Sequence, residues 1–156
     1  MTVPNKPSRI LTLCGKKQVG CLSSAERGVL VTLETCMNAA GNFMPGMFVF
    51  PRKKVNPLLM DGTPPGSPAV YYETGWITQE NFIEWFKKFI EFSNPGPQKP
   101  VLLILDGHSF HTKSLELLHL AGENNFILLC FPPHTRHRLQ PLDVSFLAPL
   151  STFYAQ

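Results

Sequence analysis

Apolar residues follow a helical period most clearly between Thr78 and Ser93. Five of them recur at helical spacing and form one stripe: Phe82, Trp85, Phe86, Phe89 and Ile90. This spacing predicts a helix over 78–93, and the following Asn94-Pro95-Gly96-Pro97 is typical of a helix stop. A base-stacking platform is one reading of the rings. Packing against a sheet accounts better for a stripe that faces one side.

Two apolar runs without polar alternation come later, at Val101–Leu105 and Phe126–Phe131. The residues between them predict a helix over Ser114–Asn124. Strand, helix and strand within about 31 residues form a βαβ unit, so the two strands should be parallel. Because neither run alternates, we expect both strands to be covered on both faces.

The earlier part of the chain has a different pattern. Val29–Asn38 and Phe43–Phe50 flank a turn signal and predict an antiparallel hairpin. Met44-Pro45-Gly46 indicates an edge strand or a bulge in the second run. Pro51–Ser67 is a loop by composition.

The two ends of the chain complete the predicted order. Residues 1–28 form an irregular lead with short apolar pieces at Ile10–Leu13 and Val19–Leu22. A final helix should begin near Leu142 or Asp143, where Pro149 would end it, kink it or open a new turn. The order is α/β, with antiparallel strands first and parallel strands later. It matches the latter part of a ribonuclease-H-like fold, a mixed sheet with flanking helices.

Composition sets the broad class of protein. A chain of 156 residues with 44% apolar and 16% charged residues predicts a single globular domain over 1–156. No run of 18 apolar residues occurs, and residues 1–6 lack an apolar signal core, so we expect neither a membrane partner nor secretion. No cysteine belongs to a CxxC pair, which leaves a zinc ribbon unsupported and favours free thiols in a reducing compartment.

Charge is unevenly distributed along the chain. Residues 1–60 carry eight Lys or Arg against two acids, whereas residues 61–156 carry six against nine. A basic front suits a surface that holds a polyanion, and an acidic rear suits a metal site. The alternative is a solvated surface with chance clustering. The residues predicted to contact nucleic acid at the front are Lys16, Lys17, Arg52, Lys53 and Lys54.

Two aspartates lie where regular elements end or begin. Asp106 directly follows the run 101–105, and Asp143 opens the predicted final helix, with 36 residues between them. Such positions often carry chemistry. The structural alternatives are a turn cap for Asp106 and a helix N-terminal acid for Asp143.

Histidines and arginines surround both aspartates in the sequence. A His/Asp cluster would suit Zn²⁺ or Fe²⁺, although no spacing fixes such a set. The other reading is that the imidazoles orient Asp106 and contact phosphates. The histidines concerned are His108, His111, His134 and His137. Arg136 and Arg138 lead towards Asp143, where they either grip phosphates or lie exposed at the surface.

Two longer strings carry a family resemblance. Residues 103–111, Leu-Ile-Leu-Asp-Gly-His-Ser-Phe-His, resemble the second-aspartate motif of the DDE superfamily endonuclease domain. Residues 131–143, Phe-Pro-Pro-His-Thr-Arg-His-Arg-Leu-Gln-Pro-Leu-Asp, resemble its third-acid motif. The segments 3–8, 24–28 and 38–42 are also similar to this family, which includes pogo/Tigger and Jerky-type transposases and genes domesticated from them. The resemblance covers about residues 2–154.

The resemblance implies a function and a site. In this family three acids hold two Mg²⁺ or Mn²⁺ ions for cleavage and joining of DNA phosphodiesters, and two of those acids would be Asp106 and Asp143. Hard cations prefer carboxylate oxygens, and a pair of them stabilises both attacking and leaving oxygens. The implied partner is DNA and the implied compartment is the nucleus. A homo-oligomer or another protein chain is a further possible partner.

The chain departs from the family at its start. The family's first aspartate lies on a strand upstream of the segment that here begins at Thr2, so we expect this strand, its acid and a DNA-binding helix-turn-helix to be missing. Glu26 and Glu34 lie in no matching motif and are not assigned to the site. The expected edge of Val101–Leu105 would then be open to another chain or to Ile10–Leu13 or Val19–Leu22.

Three expectations follow. Asp106 and Asp143 should share one weak divalent-ion site, the basic front should bind DNA in a salt-sensitive way, and the chain alone should not cleave DNA. The alternative is a domesticated or decayed fragment that binds DNA or protein without catalysis.

Overall fold

A computed structural model describes residues 30–108, 111, 113–132 and 135–154, with the backbone alone at 136, 148 and 154. The predictions for Ile10–Leu13 and Val19–Leu22 concern residues outside this part of the chain, as do those for Lys16, Lys17 and His134. The described residues form two small sheets that share one helix as their cover.

The first sheet begins with the predicted hairpin. Strand β1 is Thr32–Glu34 and strand β2 is Met47–Phe50, and they pair antiparallel with Leu33 opposite Phe48. A bridge between Met37 and Phe43 extends the pairing towards the turn. The hairpin is therefore confirmed, with strands shorter than the apolar runs.

A third strand was not anticipated. Strand β3, Ala69–Tyr71, pairs parallel to β2, so β2 is the central strand of the order β1-β2-β3. The edge-strand reading of the second run was wrong, because Pro45 precedes β2 and removes no ladder hydrogen bond from it. The loop before β3 holds a short 3-10 helix, Pro57–Met60, which begins with a proline.

Helix α1, Gln79–Ser93, confirms the aromatic stripe. The Thr78 side chain caps its first turn by accepting from the Asn81 amide, and Asn94 ends it in the left-handed region at φ 43°. The stripe is buried at Phe82, Trp85, Phe86 and Phe89, and Trp85 stacks between Phe82 and Phe89. These rings pack in the core and do not form a surface for bases.

The second unit is the predicted βαβ. Strands β4, Val101–Leu105, and β5, Phe126–Cys130, pair parallel over their whole length. Between them, helix α2 spans Leu115–Glu123 and is capped by the Ser114 side chain, which accepts from the Leu117 amide. Its Leu117 and Ala121 are buried against the same core.

One core joins the two sheets. Met47 and Val49 of the first sheet and Leu103 and Leu105 of the second belong to one buried cluster with the α1 rings. Helix α1 therefore covers one face of both sheets. In the described part of the chain, no backbone ladder joins β1 to β4.

The opposite face of the β4–β5 pair corrects the sequence prediction. Four side chains on it are roughly half exposed: Leu102, Ile104, Ile127 and Leu129. They form two register pairs across the strands. Continuous apolar runs predicted cover on both faces, but α1 and α2, which share the buried cluster with the pair, both lie on the Leu103 side.

The C-terminal residues form short helical pieces. Helix α3 is Arg136–Leu139, a π-helical segment spans Leu142–Phe146, and helix α4 spans Leu147–Tyr154. The final helical region thus begins where predicted. Pro149 lies in the first turn of α4, which follows the π-helical segment without a break, so the helical region does not end at this proline.

Candidate functional site

Asp106 is held by contacts on three sides. Its Oδ1 lies 2.8 Å from Nδ1 of His111 and accepts from the His108 amide at 3.2 Å. The same His111 Nδ1 lies 3.1 Å from the Asp106 carbonyl oxygen, so the imidazole is fixed by side chain and backbone together. The hydrogen bond from His111 is the main cause that lowers the pKa of Asp106, and burial opposes it.

His111 connects this carboxylate to the core. Its side chain is 7% exposed, against 30% for Asp106, and its ring centroid lies 4.4 Å from that of Phe82 in the first turn of α1. The predicted orienting role is therefore the one that the geometry supports for His111. His108 lies exposed, with its ring 6.2 Å from His111.

Glu34 is the acid that the sequence analysis set aside. It pairs with Met47, and residues directly opposite on antiparallel strands share a face, so Glu34 lies on the core side of β1. Burial raises the pKa of Glu34 to about 7, with His111 lowering it and Asp106 raising it. Glu34, His111 and Asp106 therefore form one group of interacting charges. The signal available in the sequence was that Glu34 lies two residues after Thr32 and therefore on the same face of the strand.

Two thiols flank this group of charges. Burial, aided by Glu34, raises the pKa of Cys36 to about 11, and burial together with Asp106 raises that of Cys130. Both are free cysteines. Because a thiol is nucleophilic as the thiolate, a raised pKa lowers the nucleophilicity of both thiols at neutral pH.

The basic residues of the loop after β2 are exposed. Arg52, Lys53 and Lys54 follow Pro51, and Lys53 forms a 2.8 Å ion pair with the exposed Glu73. Such a pair contributes little to stability, but it neutralises part of the predicted basic surface. Arg138 is also exposed, on α3.

A glycine allows the segment before α1 to approach the start of this basic loop closely. Gly75 has φ +70°, and a Cβ there would lie 2.4 Å from the Leu30 carbonyl oxygen and 3.1 Å from Pro51 Cβ. Only glycine fits such an approach. Pro51 precedes Arg52, Gly75 precedes the α1 cap by three residues, and the first turn of α1 contacts His111. Gly75 and Pro51 therefore lie close to each other at the Phe50 end of β2, whereas Glu34, which interacts with Asp106, pairs with Met47 at the other end of that strand.

Asp143 lies in a different setting. It is the second residue of the π-helical segment and is partly buried, and the segment packs through Phe146, whose ring lies 4.6 Å from Phe43. Among the described groups, those that shift the pKa of Asp106 are His111 and His108, and Asp143 is not one of them. His137 is exposed. A divalent ion shared by Asp106 and Asp143 stays a prediction.

The fit of the described donors to a metal ion is incomplete. Within the described ranges, no three His, Cys, Asp or Glu side chains are arranged to hold a metal ion. Asp106 offers a carboxylate that accepts from His111, and burial raises the pKa of Glu34 to about 7. A hard cation, which prefers six or more oxygen ligands, lacks a built site among these residues.

Comparisons with known proteins agree with the sequence motifs. Residues 29–156 match the family described as DDE superfamily endonuclease. The chain is also 36% identical over 129 residues to the "MFS-type transporter clz9" of Cochliobolus lunatus, which covers 81% of this chain and 14% of that protein. The chain thus spans about one seventh of that relative. No solved structure matches the chain.

The name of this relative refers to a membrane transporter, whereas no described helix of the present chain is long and apolar enough to cross a membrane. The family match covers the Asp106 and Asp143 motifs and both sheets. The mixed α/β arrangement is consistent with a ribonuclease-H-like domain of that family. The chain belongs to the DDE superfamily endonuclease family.

Proposed function

We propose that this chain is a transposase-derived domain of the pogo/Tigger and Jerky type that binds DNA at the edge of the sheet that carries Asp106. The observation that carries the proposal is the Asp106–His111 pair, built on the end of β4 and packed against α1. The exposed side chains of Arg52 and Lys54, in the loop after β2, supply positive charge for phosphates further along the DNA.

The metal chemistry of the family enters this proposal only in part. The family uses divalent cations, but the described donors do not complete a site for Mg²⁺ or Mn²⁺. We therefore propose weak cation binding and no DNA cleavage or joining by the chain alone. Phosphoryl transfer depends on positioned charge, and two carboxylates without a third built ligand leave that charge loosely placed.

DNA binding is tested by fluorescence anisotropy on a labelled duplex at increasing salt. Counterion release predicts an affinity that falls steeply, with a slope of about −0.9 for each phosphate contacted. The double variant Arg52→Ala/Lys54→Ala should reduce the slope by about 2 units, because each side chain neutralises about one phosphate. Lys88→Ala, exposed on α1, is the matched control and should leave the slope unchanged. A flat salt response in the parent chain would refute DNA binding.

Cleavage is tested by nicking of supercoiled DNA with Mg²⁺ and with Mn²⁺. We expect no nicking by the 156-residue chain. Metal-dependent nicking that disappears in both Asp106→Asn and Asp143→Asn would show that the chain does build a complete site. The same assay on Glu34→Gln would then identify whether Glu34 supplies the third carboxylate.

A second candidate function is a non-catalytic module that binds protein. The half-exposed apolar face of Leu102, Ile104, Ile127 and Leu129 favours it, since such patches mark interaction surfaces. Under this reading the chain pairs with itself or with another protein. Concentration-dependent sedimentation together with a flat salt response to DNA would select it. Nuclear localisation belongs to the first candidate and is tested by imaging the tagged chain.

A further inference from the structure

The tip of the β1–β2 hairpin contacts the C-terminal helical pieces. The ring of Phe43, directly after the hairpin turn, lies 4.6 Å from the ring of Phe146 between centroids, with 38° between the two planes. This separation is near the close end of the range for aromatic pairs in proteins. The pair joins the π-helical segment, in which Asp143 lies, to the first sheet.

The hairpin side of this contact has a fixed position. The Asn38 side chain accepts hydrogen bonds from two amides of the turn, at 3.0 and 2.9 Å. Phe43 forms a β-bridge with Met37, and the next residue, Met44, is buried in the core. Because successive side chains of an extended strand point to opposite sides, the Phe43 ring faces away from the core and is 40% exposed.

The other side of the contact ends the π-helical turn. Phe146 is the last residue of Leu142–Phe146, and the Leu147 amide donates to the Leu142 carbonyl oxygen across five residues. Such turns are rare and occur frequently at functional sites. The most extensive contacts of the segment with other elements are those with α3 and α4, its neighbours in the chain. Contacts between neighbours do not place the segment on the sheet, whereas the contact of Phe146 with the hairpin does.

We propose that Phe43 is a positioning residue for Asp143. Its ring holds Phe146, three residues after Asp143, against the hairpin, and so sets the place of the Asp143 carboxylate on the first sheet. The placement itself is independent of the proposed function. Its effect on cation binding deepens the proposed function and rests on it.

NMR on the full 156-residue chain tests the placement. In Phe43→Ala we expect the carboxyl-carbon signal of Asp143 to shift and the Leu147 amide, which closes the π-helical turn, to exchange roughly tenfold faster, because an aromatic pair contributes up to about that factor. The carboxyl-carbon signal of Asp106 should not move, which separates the loss of this contact from general loosening. Phe43→Tyr keeps the ring and should restore both parent values.

Tyr72→Ala is the matched control. Tyr72 is an aromatic residue that is 45% exposed, close to the 40% of Phe43, and it follows β3 rather than the hairpin turn. Its removal should change neither the Asp143 signal nor the exchange of the Leu147 amide.

A double-mutant cycle tests whether the two rings act through each other. Phe43→Ala and Phe146→Ala break the same contact, so the double variant should accelerate exchange of the Leu147 amide by about the same tenfold as either single variant. Independent effects would multiply to roughly a hundredfold, and that result would overturn the proposal.

Titration with Mn²⁺ relates the placement to cation binding. Paramagnetic broadening of the Asp143 signal should need several times more Mn²⁺ in Phe43→Ala than in the parent chain, and Phe43→Tyr should restore it, because a loosely placed ligand binds a cation less well. If the parent chain shows no broadening, the proposed cation binding is refuted, while the signals without Mn²⁺ still decide the placement.

Two further results would overturn the placement. An unchanged Asp143 signal in Phe43→Ala would show that other contacts hold the segment. A shift that Phe43→Tyr does not reverse would show that the hairpin turn was disturbed and that the ring has no positioning role. If Phe43→Ala does not fold, Phe43→Leu, which keeps apolar cover and loses the ring, supplies the same comparison with a smaller effect.

Discussion

The two aspartates of the family motifs differ in the contacts that surround them. Asp106 follows a buried strand, accepts from His111 and from a backbone amide, and interacts with Glu34. Asp143 lies on a π-helical segment whose described packing is with neighbouring helical pieces and through Phe146. Half of the expected site is thus preorganised by the core, whereas the described packing of the other half is with neighbouring helical pieces and through Phe146. Substitutions should separate these two halves.

The largest difference is expected between two histidines. His111→Ala removes a ring that packs on Phe82 and leaves the half-buried Asp106 carboxylate without its main donor. We expect a loss of about 3 kcal/mol in the free energy of unfolding, measured by urea denaturation. His137→Ala, exposed near Asp143, should change it by less than about 0.5 kcal/mol. Equal losses of unfolding free energy in the two variants would contradict the difference between the surroundings of Asp106 and Asp143.

The pH dependence of the free energy of unfolding should show that Glu34 belongs to the preorganised half of the site, with Asp106 and His111. Its pKa is raised from 4.5 to about 7 in the folded chain, so the folded state binds more protons than the unfolded state between these values. The free energy of unfolding therefore falls by at most about 3 kcal/mol as pH rises from about 4.5 to 7. Above pH 7 this ionisation no longer changes it.

The variant Glu34→Gln abolishes this ionisation. It should stabilise the chain by about 1–2 kcal/mol at pH 8, because the amide itself keeps part of the burial cost, and should have little effect at pH 4. Denaturation curves at both pH values provide the measurement. Stabilisation that is the same at pH 4 and pH 8 would mean that ionisation of Glu34 is not the cause.

The smallest effects concern the aspartates themselves. Asp106→Asn keeps an oxygen for His111 but loses the charge, so we expect a cost of about 1 kcal/mol at pH 7. It should also lower the pKa of Glu34, because Asp106 raises it in the parent chain. Asp143→Asn should leave the Glu34 titration unchanged, because Asp143 is not among the groups that shift the pKa of Glu34. Carboxyl-carbon NMR titration of all three chains makes this comparison.

Sequence patterns predicted the elements whose structure depends on residues close together in the chain. The α1 stripe and its stop at Asn94 were visible in the sequence, as were the helix after Ser114 and the parallel β4–β5 pair. The helices depend on residues within a few positions of one another, and the parallel pair depends on the short crossover that joins its strands.

Features that depend on distant contacts were missed. Strand β3 has three residues, Ala69–Tyr71, and exists because β2 offers it a ladder, which no local pattern reveals. Glu34 joins the site because the hairpin register turns it towards the core beside His111. The exposed face at Leu102 was missed for the same reason, since a continuous apolar run shows that a strand can be buried but not what covers it.

That exposed face also bears on how the chain behaves at high concentration. The segment Phe126–Phe131 is six residues long and contains no charged residue and no proline. The side chains of Ile127 and Leu129 in it are exposed to solvent. Such segments are the kind from which cross-β fibrils assemble, and no gatekeeper charge interrupts this one. Solubility of the folded chain is therefore limited by its own surface, and Ile127→Lys or Leu129→Lys should raise the concentration at which it precipitates.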